Sequence, residues 1–207
     1  MAKILRLIVL LLSCVVPLIR KLYRQATRKH VVIHESFVAP CENDGGPRGS
    51  FVVQCFDSLG NLKWSEANHN QIKNAGLDYA LNTCFHGSAA ITTWYIGLIT
   101  AGGTITTAGD TMSSHAGWTE STAYSDATRR EWTEGASSGG VITSSSTSDF
   151  NINATATIGG IFITSDSTKS GTSGTLWSTA AFATDQSVSS GDVLKVSYTI
   201  TMTAGAT

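Results

Sequence analysis

Asn151-Ile-Asn-Ala-Thr-Ala-Thr-Ile158 alternates strictly between apolar and polar residues, and Ile161-Phe-Ile-Thr-Ser165 and Val193-Leu-Lys-Val-Ser-Tyr-Thr-Ile-Thr-Met202 do so in large part. Alternation with a period of two places apolar side chains on one face of an extended strand, which is the mark of a half-buried sheet. Helical spacing cannot produce it. The second half of the chain is therefore expected to be strands and turns.

Working outward, Trp94-Tyr-Ile-Gly-Leu-Ile99 is nearly continuous in apolar residues and predicts a central strand buried on both faces. Ser50-Phe-Val-Val-Gln-Cys-Phe-Asp57, the turn Ser58-Leu-Gly-Asn61 and Leu62-Lys-Trp-Ser-Glu66 predict a hairpin. Glycine pairs at 102–103, 139–140 and 159–160 punctuate the strands, and Ser144-Ser-Ser-Thr-Ser148 predicts an exposed turn or strand edge. One helix is expected, over Gln71 to Phe85. There Ile72, Ala75, Leu77, Tyr79, Leu81 and Phe85 make a broad apolar face that Gly76 weakens. Charged residues are only 14% of the chain against 42% apolar, the remainder being rich in Ser, Thr and Gly. Prolines occur only at 17, 40 and 47, so nothing after them interrupts a sheet ladder. Short strands separated by turn signals predict a mostly β fold. The expected architecture is an antiparallel β-sandwich, jelly-roll-like, with one short helix. Core packing accounts for most aromatics of the second half.

A different segment precedes this body. Residues 1–30 hold seven Lys/Arg and no acid, whereas residues 31–207 hold seven Lys/Arg against fifteen Asp/Glu, a net charge of −8. The apolar run Leu7 to Ile19 is long enough for about 20 Å of helix, short of the ~20 residues that a bilayer core needs. A cleaved signal fits the basic start, but no small-x-small site follows. A lipoprotein signal is echoed only in Leu11-Leu12-Ser13-Cys14. An uncleaved helical arm fits better. In it, Leu7, Ile8, Leu11, Leu12 and Val15 bury in a membrane surface or a protein partner, and Arg20, Lys21 and Arg24 meet anionic groups. Three regions follow: the arm at 1–30, a strand and linker at 31–49, and the sandwich body at 50–207.

Chemistry-bearing patterns are sparse. Ala101-Gly-Gly-Thr-Ile-Thr-Thr-Ala-Gly109 lacks the lysine of a phosphate loop, and no GxSxG elbow occurs. Cys14, Cys41, Cys55 and Cys84 fit no zinc spacing. Cys41 and Cys55 could bridge a hairpin in an oxidising compartment, but four reduced, small apolar residues are the better account. His30 and His34 fall on a strand about 13 Å apart, too far to share a metal. His115 could pair with Asp110 or Glu120, though capping a turn is the simpler role. Glu131 and Glu134 flank Trp132 as the paired carboxylates of a glycosidase flank a bond, yet a spacing of three on a strand sends them to opposite faces. Asn153-Ala-Thr155 matches a glycosylation triplet but lies mid-strand. The acidic body disfavours nucleic-acid binding. No catalytic residue, cofactor or metal ligand is assigned.

Phe51-Val-Val-Gln-Cys-Phe-Asp-Ser-Leu-Gly-Asn-Leu-Lys-Trp64, Asn74-Ala-Gly-Leu-Asp-Tyr-Ala-Leu-Asn82, Thr93-Trp-Tyr-Ile-Gly-Leu98 and Ala108-Gly-Asp-Thr-Met-Ser-Ser-His-Ala-Gly-Trp-Thr-Glu120 occur in that order. Tyr124-Ser-Asp-Ala-Thr-Arg129, Ile152-Asn-Ala-Thr-Ala-Thr-Ile-Gly-Gly-Ile-Phe162 and Ser190-Gly-Asp-Val-Leu-Lys-Val-Ser-Tyr-Thr199 follow. Together they resemble a family of virion proteins encoded among the head and tail genes of tailed bacteriophages. The resemblance runs from about Gly49 to Met202. It departs at Arg130, where proline is expected, and it leaves out the arm. It implies a non-enzymatic structural protein of the virion, a capsid decoration or a tail- or fibre-associated part. Its expected partners are other virion proteins and further copies of itself. Two alternatives stand beside it. One is a membrane-tethered or secreted bacterial binding module that takes carbohydrate on Trp94, Trp118 or Trp132. The other is a glycan-cleaving enzyme with Glu131 as acid.

Overall fold

The computed structural model describes residues 46–203; the arm, the predicted strand at 31–33 and most of the linker lie outside the described residues. The strands are β1 (Pro47–Phe56), β2 (Leu62–His69), β3 (Gln71–Ile72), β4 (Trp94–Thr100), β5 (Glu120–Ser121) and β6 (Arg130–Trp132). They continue with β7 (Val141–Thr143), β8 (Ser148–Asn151), β9 (Ala156–Thr164), β10 (Leu176–Val188) and β11 (Val193–Met202). The described helix is α1 (Asn74–Phe85).

All pairings are antiparallel. One sheet runs β2-β1-β11, with β7 and β8 sharing the far edge of β11; the other runs β3-β10-β9-β4, with β5 and β6 sharing the far edge of β4. Their facing sides make a single core. Phe51, Val53, Leu194, Val196 and Tyr198 from the first sheet meet Ile96, Leu98, Ile161, Ile163 and Trp177 from the second. The fold is therefore a mostly β antiparallel sandwich with one short helix, as expected, although Asn151–Ile158 is not one strand: it is divided between β8 and β9, with Asn153-Ala-Thr155 exposed between them.

The β1–β2 hairpin closes as its sequence demands. Asp57 Oδ1 accepts the backbone N–H groups of Leu59 (2.9 Å) and Asn61 (2.8 Å), and Gly60 takes φ +83°. Strand β1 starts at Pro47, inside the stretch read as linker, because proline can occupy the first strand position without breaking a ladder bond.

Three expectations change. The helix begins at Asn74, since Gln71 and Ile72 pair instead with Thr179 and Ser178 as β3. The predicted apolar face of that helix is only partly covered: Leu81 is 58% and Phe85 85% exposed. The pair Gly159-Gly160 is not a turn. Strand β9 runs straight through it, because a Cβ on Gly160 would come within 2.5 Å of the Ala180 carbonyl oxygen. A Cβ on Gly159 would likewise sit 2.9 Å from Ala101 Cα. These glycines permit close approach of backbones beside the bulges of β4 and β10.

The outer face of the second sheet is covered too. Segment 101–119, between β4 and β5, lays Ile105, Met112 and Trp118 over Ile99, Phe162 and Leu176. Lys73, wholly buried, fastens this segment: its Nζ donates to the carbonyl oxygens of Ile105 (2.9 Å) and Thr107 (2.8 Å). Burial holds the Lys73 ammonium below the ordinary lysine range, and the carboxylate of Asp110 opposes that shift.

Candidate functional site

A cleft of about 300 Å³ opens at one end of the sandwich, beneath α1. Strand pairing sets its walls. Trp94 on β4 lies directly opposite Trp132 on β6, and Trp177 comes from the start of β10. Helix α1 adds Tyr79, Thr83 and Cys84. The helix lies against β10 because residue 76 is glycine: a Cβ there would sit 2.7 Å from the Trp177 carbonyl oxygen. The N–H of Lys73 donates to that same oxygen at 2.9 Å, securing the helix start.

The aromatic rings meet at steep angles. Tyr79 and Trp94 lie 5.4 Å apart at 74°, and Trp94 and Trp177 lie 6.0 Å apart at 63°. Three of the four aromatic side chains of the lining also make a polar bond. The Trp132 indole N–H donates to Ser144 Oγ at 2.9 Å, that of Trp177 donates to the Tyr198 hydroxyl at 3.0 Å, and Tyr79 Oη accepts the Ile91 N–H at 2.8 Å. Tyr198 is the hub behind this wall. Its ring stacks on Phe51 at 4.1 Å and meets Trp132 at 5.2 Å, and burial raises its phenol far above the ordinary range. Glu134 is the charged residue of the lining, and the buried Thr83 hydroxyl has no partner.

Of the three tryptophans expected at the surface, Trp94 is half-buried and lines this cleft, whereas Trp132 also borders it but is 4% exposed and belongs to the core. Trp118 does not line it. It is 3% exposed, turned inward from segment 101–119 onto the sheet, and its indole N–H donates to Asp110 at 3.0 Å, so it is closed to a macromolecular partner. Trp177 is a cleft aromatic that the sequence did not single out, and Glu134, read there as half of a glycosidase pair, reaches the cleft without Glu131. Trp177 lies in a stretch without alternation, and Glu134 lies beyond the end of β6. Glu131, the residue considered as a glycosidic acid, is exposed and outside the cleft lining.

A second, smaller cleft, about 240 Å³, lies beside Met112, His115 and Glu120. His115 pairs with neither Asp110 nor Glu120. Its ring stacks on Trp118 at 3.9 Å and its Nδ1 lies 3.0 Å from the Trp118 carbonyl oxygen, closing its own turn. Glu120 belongs to Arg129, which is 1% exposed and grips both carboxylate oxygens at 3.0 and 2.8 Å. The same guanidinium donates to the carbonyls of Asp166 and Gly171, each at 2.8 Å. This network ties the loop after β9 to β5 and leaves the carboxylate engaged.

Cys55 is a buried free thiol that faces Asp192 and Lys63, and Cys84 is free and exposed. Cys41 and the arm residues Leu7, Ile8, Leu11, Leu12, Val15, Arg20, Lys21 and Arg24 lie outside the described residues. Among the described residues no helix is long and apolar enough to cross a membrane, and no three metal-ligating side chains gather. No family model matches the chain, and no curated protein matches it.

Proposed function

We propose that this chain is a non-enzymatic structural protein of a tailed-phage particle, decorating the capsid or associated with the tail or its fibres. Its N-terminal arm anchors it, and its sandwich meets neighbouring virion proteins and further copies of itself. The observation that carries the proposal is the outer side of α1. Leu81 and Phe85 stand one helical turn apart, 58% and 85% exposed. A large apolar pair left in water beside an open cleft suits a protein neighbour. Three further features support it: the ordered resemblance over Gly49 to Met202, the low charge of the chain, and the use of Lys73, Arg129 and Lys169 to fasten loops. Mass spectrometry of purified particles tests the proposal. The intact chain present at stoichiometric level supports it, and its confinement to host membrane fractions overturns it.

A second reading is a membrane-tethered or secreted bacterial binding module. The meeting of Trp94, Trp132 and Trp177 in one cleft favours it. Recovery of the chain from membranes or culture medium, and not from particles, selects this reading.

A further inference from the structure

We propose that the cleft beneath α1 binds a compact organic cation, an ammonium group carrying apolar substituents. This inference stands apart from the proposed virion role and holds wherever the body resides.

The walls carry it first. Tyr79, Trp94 and Trp177 are successively inclined by 74° and 63°, so the rings form a corner and not a platform. A flat sugar ring stacks on a platform. A rounded alkylammonium instead fits a corner, formed here by the half-buried Tyr79 and Trp94 and backed by Trp177, which is 6% exposed. Trp132, opposite Trp94 in the ladder and 4% exposed, backs the lining from within the core. Ring faces are negative in their quadrupole and attract a cation whose charge is sheathed in methyl groups.

Charge carries it second. Glu134 is in the lining and no Lys or Arg is. An anionic ligand would meet a carboxylate with no counter-charge, whereas a cation meets attraction from both rings and carboxylate. Size is the third support. A volume of about 300 Å³ is at the small end of ligand pockets and suits a group such as trimethylammonium with a short substituent. The hydroxyl of Thr83, buried and unpartnered, offers an acceptor or donor to that substituent.

Choline and 3,3-dimethylbutan-1-ol test the proposal, because they share a shape and differ in charge. Full-length protein is titrated with each while tryptophan emission is followed, since three of the cleft walls are indoles. Choline is expected to give a saturable change and to bind at least about tenfold tighter than the neutral alcohol. In Glu134→Gln, with an unchanged thermal midpoint, choline is expected to bind several-fold to about tenfold more weakly, while the alcohol is unaffected. Equal binding of the two compounds overturns the proposal, as does the lack of a saturable response or an unaltered choline affinity in Glu134→Gln. Flotation with phosphatidylcholine vesicles separates the sources of the cation. Flotation that soluble choline competes away places it on a lipid headgroup. Choline binding without competable flotation places it on a free solute.

Discussion

The Tyr198 hydroxyl accepts the indole N–H of Trp177 at 3.0 Å. It also takes an N–H from Asn70 and lies 3.2 Å from Ser178 Oγ, so a phenol with one proton and two lone pairs is fully engaged. The ring stands on the first sheet and its partners on the second sheet and on the chain entering it. Tyr198→Phe keeps the packing but strands those partners in the core. It is expected to lower unfolding free energy by about 1–3 kcal/mol in urea titrations. A loss within error of zero refutes the hub role.

Arg129 is irreplaceable by lysine for geometric reasons. Its guanidinium forks onto Glu120 and reaches two carbonyls, whereas an ammonium cannot span all of them. Arg129→Met leaves Glu120 half-partnered in the interior and is expected to cost about 3–5 kcal/mol. Arg129→Lys should recover only part of that loss. Full recovery by lysine in the same chemical denaturation assay contradicts the fork.

Cys55 gives stability an alkaline limit. Burial, and then the neighbouring Asp192 carboxylate, push its thiol from the ordinary 9.0 up to about 12. The folded chain holds this proton after the unfolded chain has released it. The contribution is thus fully present below pH 9.0 and is lost as pH rises toward about 12. The slope approaches ~1.4 kcal/mol per pH unit. Stability measured against pH should fall less steeply in Cys55→Ala than in the parent; parallel curves contradict the assignment.

Gly97 makes room for Phe162. These residues are paired across β4 and β9, and a Cβ on Gly97 would fall 2.2 Å from the ring. Gly97→Ala is expected to destabilise by about 1–3 kcal/mol through overpacking, despite the better strand propensity of alanine. A thermal midpoint equal to that of the parent would show that the ring can move aside at no cost.

The exposed α1 pair separates docking from folding. Leu81→Gln combined with Phe85→Gln should change unfolding free energy by no more than about 0.5 kcal/mol per site, as surface substitutions do. The same double variant should be depleted from particles in competition with the parent chain. Unchanged incorporation removes this face from the proposed interface.

Two kinds of strand are legible in the sequence: those with one wet and one dry face, and the continuously apolar one. Val193–Met202 is observed with the bounds its alternation predicts, and Trp94–Thr100 is central as its apolar run predicts. Strand β10, the longest, carries no such pattern. Its first half is buried on both sides, Ser178 facing Tyr198 in the core and Thr179 facing the Ile105 carbonyl of segment 101–119, so polarity does not alternate there. Glycine misled at 159–160 because close backbone approach and turning draw on the same residue. The cleft was half legible. Trp94 and Trp132 stand out as aromatics on strands, but their meeting with Trp177 depends on β10 and on a helix seated by Gly76, which are long-range facts.

Segment 101–119 has no long strand of its own, yet Lys73 and Thr179 hold the Ile105 carbonyl, and Asn74 holds that of Ala108. A connection bolted to both a helix start and a strand cannot open by itself. Its hydrogen-bonded amides should exchange with solvent only through the same global event that releases β10, so the stretch around Ile105, Met112 and Trp118 behaves kinetically as interior and not as loop.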